Sequence, residues 1–295
     1  MAGDKRKCVL ITGCSPGGIG HSLALEFQKR NWRVFATVRN ASAAADLSQK
    51  GVEVLDLEVT DEGSIRKCFE HVKAANDGRL DMLVNNAGIN YTVPALDIKI
   101  EEAQKVFAAN VFAVMQICQI FSPLLIEAKG SIVMIGSLAG VIPYVFGSVY
   151  NASKAALHAY ANTLRVELAP LGVHVQTVVT GGVASMLTTH VKRTLPEDSY
   201  YSSLEAVYQR RQTHSAEIGV TPDAFAREVV PQILPGGGPW PWRWILDARK
   251  RWVWAGSSSG VVWFGSGAWA WSGLFDWVMT SMFNLNSIRG KAKSS

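Results

Sequence analysis

A phenol, an ammonium and a hydroxyl are the residues in this chain best placed to move a proton together. Tyr150 and Lys154 open a helical pattern that continues through Ala155, Ala156, Leu157, Tyr160, Leu164 and Leu168, so the two side chains stand one turn apart on one face. A phenol titrates at about 10 and a neighbouring ammonium favours its ionised form, so Lys154 is expected to tune Tyr150 as a proton donor or acceptor. Ser137 follows the apolar run Ile132-Val133-Met134-Ile135, which reads as a buried strand whose C-terminal end opens into a crevice. A hydroxyl there can meet a substrate carbonyl. A Tyr-x-x-x-Lys pair alone is ordinary on helices, and its meaning comes from the elements around it.

Those elements begin with Cys8-Val9-Leu10-Ile11-Thr12, the glycine-rich stretch Gly13 to Gly20 and the helical residues Leu23, Leu25 and Phe27. Strand, glycine turn and helix in that order suit a pyrophosphate: glycines admit close backbone approach, and the helix N-terminus favours negative charge. The spacing departs from G-x-G-x-x-G. The next strand, Arg33 to Val38, ends in Arg39 and has no carboxylate at its tip. A carboxylate there would hold the ribose 2′-hydroxyl of NAD, whereas an arginine suits the 2′-phosphate of NADP, so NADPH is expected. Strands over 52–55, 80–84, 132–135 and 174–179 alternate with helices over 61–75, 100–127 and from Tyr150. Such β-α repetition predicts an α/β fold with a doubly wound parallel sheet of Rossmann type, binding ligands at the strand C-termini.

At 295 residues, with 48% hydrophobic and 18% charged residues, the chain can bury one large core, and a net charge of +5 spread over many segments does not suggest nucleic-acid binding. Cys8, Cys14, Cys68 and Cys118 show neither disulfide nor zinc spacing, which suggests a reducing compartment and no metal site. The N-terminus lacks the apolar stretch of a signal peptide, so a cytoplasmic start is expected.

The Thr12–Gly20 turn, Asn85-Asn86-Ala87-Gly88, Asn110, Ser137 and Tyr150-x-x-x-Lys154, in this order, resemble the short-chain dehydrogenase/reductase family over about residues 7–235. Pro94 to Asp97, Asn110-Val111-Phe112, Gly136 to Val141, Phe146-Gly147-Ser148 and Thr180 to Ala184 are similar to one branch, the fungal NADPH-dependent 1-acyldihydroxyacetone-phosphate reductases. The resemblance implies Tyr150 as general acid in reduction and Ser137 as hydrogen-bond partner of the carbonyl oxygen. Lys154 would hold the nicotinamide ribose, and Asn110 would help hold a water linking Lys154 to solvent. For the cofactor it implies Gly13, Ser15, Gly18, Ile19 and Gly20 at the pyrophosphate, with Gly17 or Gly18 in the close-approach position. It places Arg39 and Glu58, or Asp56 instead of Glu58, on the adenosine side with Asn86 and Gly88. Val183 and Ser185 would lie near the nicotinamide. Glu58 stands where an aspartate is usual, and Thr180 replaces a common proline.

A substrate lid is expected over about 186–220, where His190, Lys192 and Arg193 could meet an acidic substrate. Thr221 and Pro222 read as N-cap and first residue of a helix running to about Leu234, and Pro235 to Pro239 as a linker. The domain then spans 1–235, and 236–295 is a tryptophan-rich apolar extension. It holds nine of the ten tryptophans, has no charged residue from Trp252 to Phe275, and is flanked by basic residues. That composition suits a membrane interface, at the endoplasmic reticulum or a lipid droplet, with packing over the pocket or an oligomer contact as the alternatives. The expected function is NADPH-dependent reduction of a lipid-like ketone, best matched by 1-acyldihydroxyacetone phosphate. A ketoreductase of fungal secondary metabolism or a steroid-type dehydrogenase is the alternative. A non-catalytic NADPH-binding membrane protein would need none of Ser137, Tyr150, Lys154 and Asn110. A homo-oligomer paired through the helices of Asn110 and Tyr150 is implied by the resemblance.

Overall fold

The computed structural model describes residues 6–185, 193–234, 251–266 and 274–285. Apolar runs become strands β1 (Cys8–Ile11), β2 (Arg33–Val38), β3 (Glu53–Asp56), β4 (Met82–Asn85), β5 (Ser131–Ile135), β6 (His174–Thr180) and β7 (Trp252–Ala255). They form a seven-stranded sheet in the order β3-β2-β1-β4-β5-β6-β7, each neighbouring pair parallel. The helices are α1 (Ile19–Lys29), α2 (Ala45–Gln49), α3 (Glu62–Ala75), α4 (Ile100–Phe107), α5 (Ala113–Ala128), α6 (Ser148–Leu168), α7 (Glu205–Glu217), α8 (Pro222–Ile233), α9 (Ser259–Gly265) and α10 (Leu274–Met282).

The strands read as unbroken apolar runs because both sheet faces are covered. Val9, Ile11, Val34 and Val84 pack with Leu23 and Phe27 of α1 and Phe225 and Val229 of α8. The alternate residues Leu10, Phe35, Leu83 and Ile132 pack with α3, α5 and α6 through Ile65, Phe121 and Leu157. Helix starts follow local chemistry: Asp61 accepts from the Gly63 and Ser64 amides ahead of α3, and Thr221 accepts from Ala224 N ahead of α8. The strand order reverses between β1 and β4, so the loops after β1, β4 and β5 meet over one crevice.

Two features depart from expectation. The helix predicted over 100–127 is interrupted by a π-helical turn at Ala108–Phe112, which contains Asn110. The core also does not end at residue 235. Trp252–Ala255 supplies the edge strand, paired with β6 from Thr177↔Trp252 to Thr180↔Ala255. Val253 and Ala255 are fully buried among α8 residues. Trp252 donates Nε1–H to Asn162 Oδ1 at 3.1 Å and stacks on Trp254. In Trp-Val-Trp-Ala the strand alternation is real, but the surrounding aromatic richness masks it. The linker 235–239, with Trp240, Trp242, Trp244, Trp269 and Trp271, lies outside the described residues, as do lid residues 186–192 with His190 and Lys192.

Candidate active site

β5 ends at Ile135, and two residues later Ser137 caps the short turn Leu138–Gly140, its Oγ accepting from Ala139 N at 3.1 Å. α6 returns to this point with Tyr150 in its first turn. The Ser137 side chain lies close enough to the Tyr150 phenol to lower its proton affinity, and Lys154, one turn on, is buried behind it. Lys154 Nζ donates to Ile135 O at 2.8 Å and lies 5.8 Å from the Tyr150 ring centre. The three predicted groups therefore converge at the C-terminal end of β5.

Their electrostatics differ in one respect from expectation. Desolvation pushes the Tyr150 phenol above its ordinary value, and what opposes the rise is the Ser137 hydrogen bond and the charge of Arg211 rather than a direct contact from Lys154. Desolvation also brings Lys154 down to about 8. An ammonium that loses its proton that readily can exchange protons near neutral pH.

Asn110 reaches the same cluster from the π-helical turn. Its Oδ1 accepts from Ile89 N at 2.8 Å, while Nδ2 donates to Ile89 O at 3.0 Å and to Ser153 Oγ at 3.1 Å. Ser153 in turn donates to Tyr150 O at 2.7 Å. The amide thus ties the loop after β4 to α6 and fixes both relative to Tyr150. A Cβ on Gly88 would meet Asn110 Oδ1 at 2.9 Å and Lys154 Nζ at 3.9 Å, so Gly88 also borders the cluster.

Two residues at this site had no assigned role. His158 follows Lys154 by one further turn and is buried. The Ser137 amide donates to its Nε2 at 3.3 Å, and its ring edge packs on Trp252 of β7. A Cβ on Gly136 would meet Nε2 at 2.2 Å and one on Gly140 would meet Cε1 at 2.7 Å, so the imidazole fills the space that the two glycines leave. Burial, with Lys154 adding to it, holds His158 neutral down to about 4. Arg211 on α7 is also buried, its guanidinium flat on the Tyr144 ring at 3.4 Å and its Nε donating to Val145 O at 2.9 Å. The spacing Tyr150, Lys154, His158 was the available signal for the histidine; Arg211 has no comparable one.

The nucleotide end is built around close approach. Gly13 has φ +73 and a Cβ there would meet Ala87 Cα at 2.8 Å; at Gly20 it would meet Asn86 Nδ2 and Gly13 O, both at 2.5 Å. Asn86 donates from Nδ2 to Thr12 O at 2.7 Å and Gly13 O at 2.9 Å, locking the ends of β1 and β4 together. Gly17 takes a left-handed conformation, with φ +71. Gly18 is the N-cap of α1 and provides no side-chain cap, so the α1 N-terminus beside Ser15 and Ile19 keeps amides for a ligand. This cradle fits a pyrophosphate. Arg39 is exposed at the end of β2, clear of the Ser137 cluster and without an ion-pair partner among the described residues. Asp56 and Glu58 sit beside it but are engaged: Asp56 accepts from Ala41 N at 2.6 Å, and Glu58 Oε1 accepts from Thr60 N at 3.1 Å. After β6, Val183 pairs with Val220 in a short bridge, and Ser185 N donates to Val183 O at 2.8 Å. Arg193, expected to face an acidic substrate, instead lies over the Tyr91 ring at 5.0 Å. The four cysteines are free and buried, each thiol pushed up to about 12 by burial.

A parallel doubly wound sheet, a glycine cradle at its switch point and a Ser–Tyr–Lys cluster at the end of β5 define an oxidoreductase of the nucleotide-binding class. The chain belongs to the short-chain dehydrogenase family, whose model, described as short chain dehydrogenase, matches residues 7–196. It is 41% identical over 267 residues to the NADPH-dependent 1-acyldihydroxyacetone phosphate reductase of Schizosaccharomyces pombe, covering 88% of this chain and 89% of that one. It is 39% identical over 285 residues to the short-chain dehydrogenase virD of Hypocrea virens, covering 96% and 95%. Among solved structures, a short-chain dehydrogenase from Streptomyces avermitilis superposes with a TM-score of 0.69 at 27% identity, covering 80% and 86%.

Proposed function

We propose that the chain reduces the ketone of a lipid-like substrate with NADPH, and that 1-acyldihydroxyacetone phosphate is that substrate. The observation that carries the reading is the convergence of Ser137, at the end of β5, with Tyr150 and Lys154 of α6, Lys154 Nζ lying 5.8 Å from the Tyr150 ring centre. NADPH, when bound, supplies a hydride to the carbonyl carbon. Its pyrophosphate would lie on Gly13, Ser15, Gly18, Ile19 and Gly20, its 2′-phosphate near Arg39, its ribose hydroxyls near Lys154 and its nicotinamide near Val183 and Ser185. Ser137 and Tyr150 donate hydrogen bonds to the carbonyl oxygen, where negative charge develops. Tyr150 gives up its proton to form the alcohol, Ser137 and Arg211 favour the phenolate left behind, and Lys154 can help return its proton. Asn110 and Ser153 keep α6 in register with the crevice.

The identity to the S. pombe reductase supports the lipid substrate. So does an apolar wall beside Ser137, where Met279 and Phe283 pack with Leu138, Ile142 and Tyr144. Membrane attachment belongs to the same proposal: Val261, Trp263, Phe264, Trp277 and Met282 are exposed on α9 and α10, as an interfacial surface requires. Exposed Phe112 and Val166, on the helices of Asn110 and Tyr150, favour a homo-oligomer. The test is NADPH oxidation by the purified chain with acyldihydroxyacetone phosphate beside non-phosphorylated ketones. Preferred turnover of the phosphate ester is expected; turnover confined to polyketide-like or steroid ketones would transfer the chain to specialised metabolism.

A further inference from the structure

Arg211 is a buried charge with no counter-ion among the described residues. It is 5% exposed, and no carboxylate pairs with it among the described residues. The ionisable groups within electrostatic reach are the phenols of Tyr144, Tyr150 and Tyr208 and the imidazole of His214, none of them a counter-ion at neutral pH. Among the described residues Arg211 makes one hydrogen bond, through Nε, leaving the Nη donors for another partner. Those donors lie at the start of α6, where Nη2 is 3.4 Å from the position a Gly147 Cβ would take. Gly147 is the N-cap of this 21-residue helix and supplies no side-chain cap.

A buried guanidinium beside a helix N-terminus places positive charge against positive charge, which is unfavourable until an anion joins them. The planar fork of an arginine matches phosphate or carboxylate oxygens in pairs. Gly147, beside Arg211 Nη2, is the N-cap of the helix whose first turn carries Tyr150, so an anion held there lies next to the carbonyl that Tyr150 protonates. We propose that Arg211 and the N-terminus of α6 form a subsite for a phosphate ester carried on the carbon next to the reacting ketone. This rests on the ketone-reductase reading and makes Arg211 the residue that selects a phosphorylated substrate. His190 and Lys192 are not needed for it.

The test compares the full-length chain with Arg211→Gln and Arg211→Lys, using NADPH and two ketones of one acyl chain, palmitoyl dihydroxyacetone phosphate and palmitoyl dihydroxyacetone. The ratio of kcat/KM between phosphorylated and unphosphorylated ketone is expected to fall about 100-fold in Arg211→Gln, as for loss of a charge-assisted pair, and to recover in part in Arg211→Lys. An equal loss on both ketones, with the ratio unchanged, would overturn the subsite. So would a ratio unchanged because only the pH profile moves, since Arg211 would then act on Tyr150. A binding arm needs no turnover: the phosphorylated ketone should raise the thermal midpoint of the NADPH-loaded wild type more than that of Arg211→Gln, and an equal rise in both contradicts the proposal. If the wild type reduces neither ketone, the reductase reading fails while this arm still decides the subsite. Arg211→Lys, which keeps the charge, serves in both arms if the glutamine variant fails to fold.

Discussion

At the scale of the residue, the chemistry depends on how burial sets proton affinities. Tyr150 is raised by desolvation and drawn back by Ser137 and Arg211, so it is a neutral acid at neutral pH, as proton donation requires. Lys154, brought down to about 8, carries its charge below that pH and loses it above. Reduction should therefore fall as pH rises through about 8, because Lys154 then has no proton to return to Tyr150. The pH dependence of kcat/KM, from a ketone concentration series at saturating NADPH, checks this, and a flat profile between neutrality and the lysine range would contradict it. Tyr150, Lys154 and Ser137 were legible in the sequence because a four-residue helical spacing and a strand end fix where side chains point. Arg211 was not legible. A charged residue on a polar helix reads as solvated, and only packing reveals that the guanidinium is enclosed against Tyr144.

At the scale of the element, α6 and the glycine turn carry the site. His158 extends the Tyr150–Lys154 face and accepts from the Ser137 amide, which makes Nε2 the unprotonated nitrogen. Adding a proton there would turn N–H against N–H. Its folded value of about 4 lies below the ordinary 6.5, so the unfolded chain binds this proton first. Stability from His158 is complete above 6.5 and declines as pH falls towards 4, by about 3 kcal/mol in full. Denaturant unfolding across that range should show the decline in the wild type and a shallower one in His158→Asn; identical slopes would remove the role. Gly20→Ala puts a methyl 2.5 Å from Asn86 Nδ2 and Gly13 O, so α1 must move away from β1. A cost of about 1–3 kcal/mol is expected as a lower thermal midpoint, with weaker NADPH binding by titration. An unchanged midpoint would show that the turn yields more freely than this geometry implies.

At the scale of the whole molecule, the sheet and its order follow from alternating apolar runs, and six of its seven strands were readable from them. β7 was hidden because Trp252 and Trp254 sit in a tryptophan-rich segment whose composition resembles a membrane interface more than a strand. The π-helical turn at Asn110 left no mark on the helical period. The seventh strand makes the C-terminal region part of the core: its Val253 and Ala255 are buried, and it carries Trp252 to His158. A chain ending at Leu234 should lose solubility, since the β6 edge and its apolar neighbours would face water. Recovery of that fragment as a folded, NADPH-binding monomer would contradict the placement of β7.

The central claim, that Ser137, Tyr150 and Lys154 reduce a ketone on this fold, is tested most directly by following NADPH oxidation with acyldihydroxyacetone phosphate in the wild type and in Tyr150→Phe. Loss of at least about 100-fold in kcat, with NADPH still bound by the variant, is the predicted result. Turnover in Tyr150→Phe equal to that of the wild type would show that the proton comes from elsewhere and that the site is not the one described.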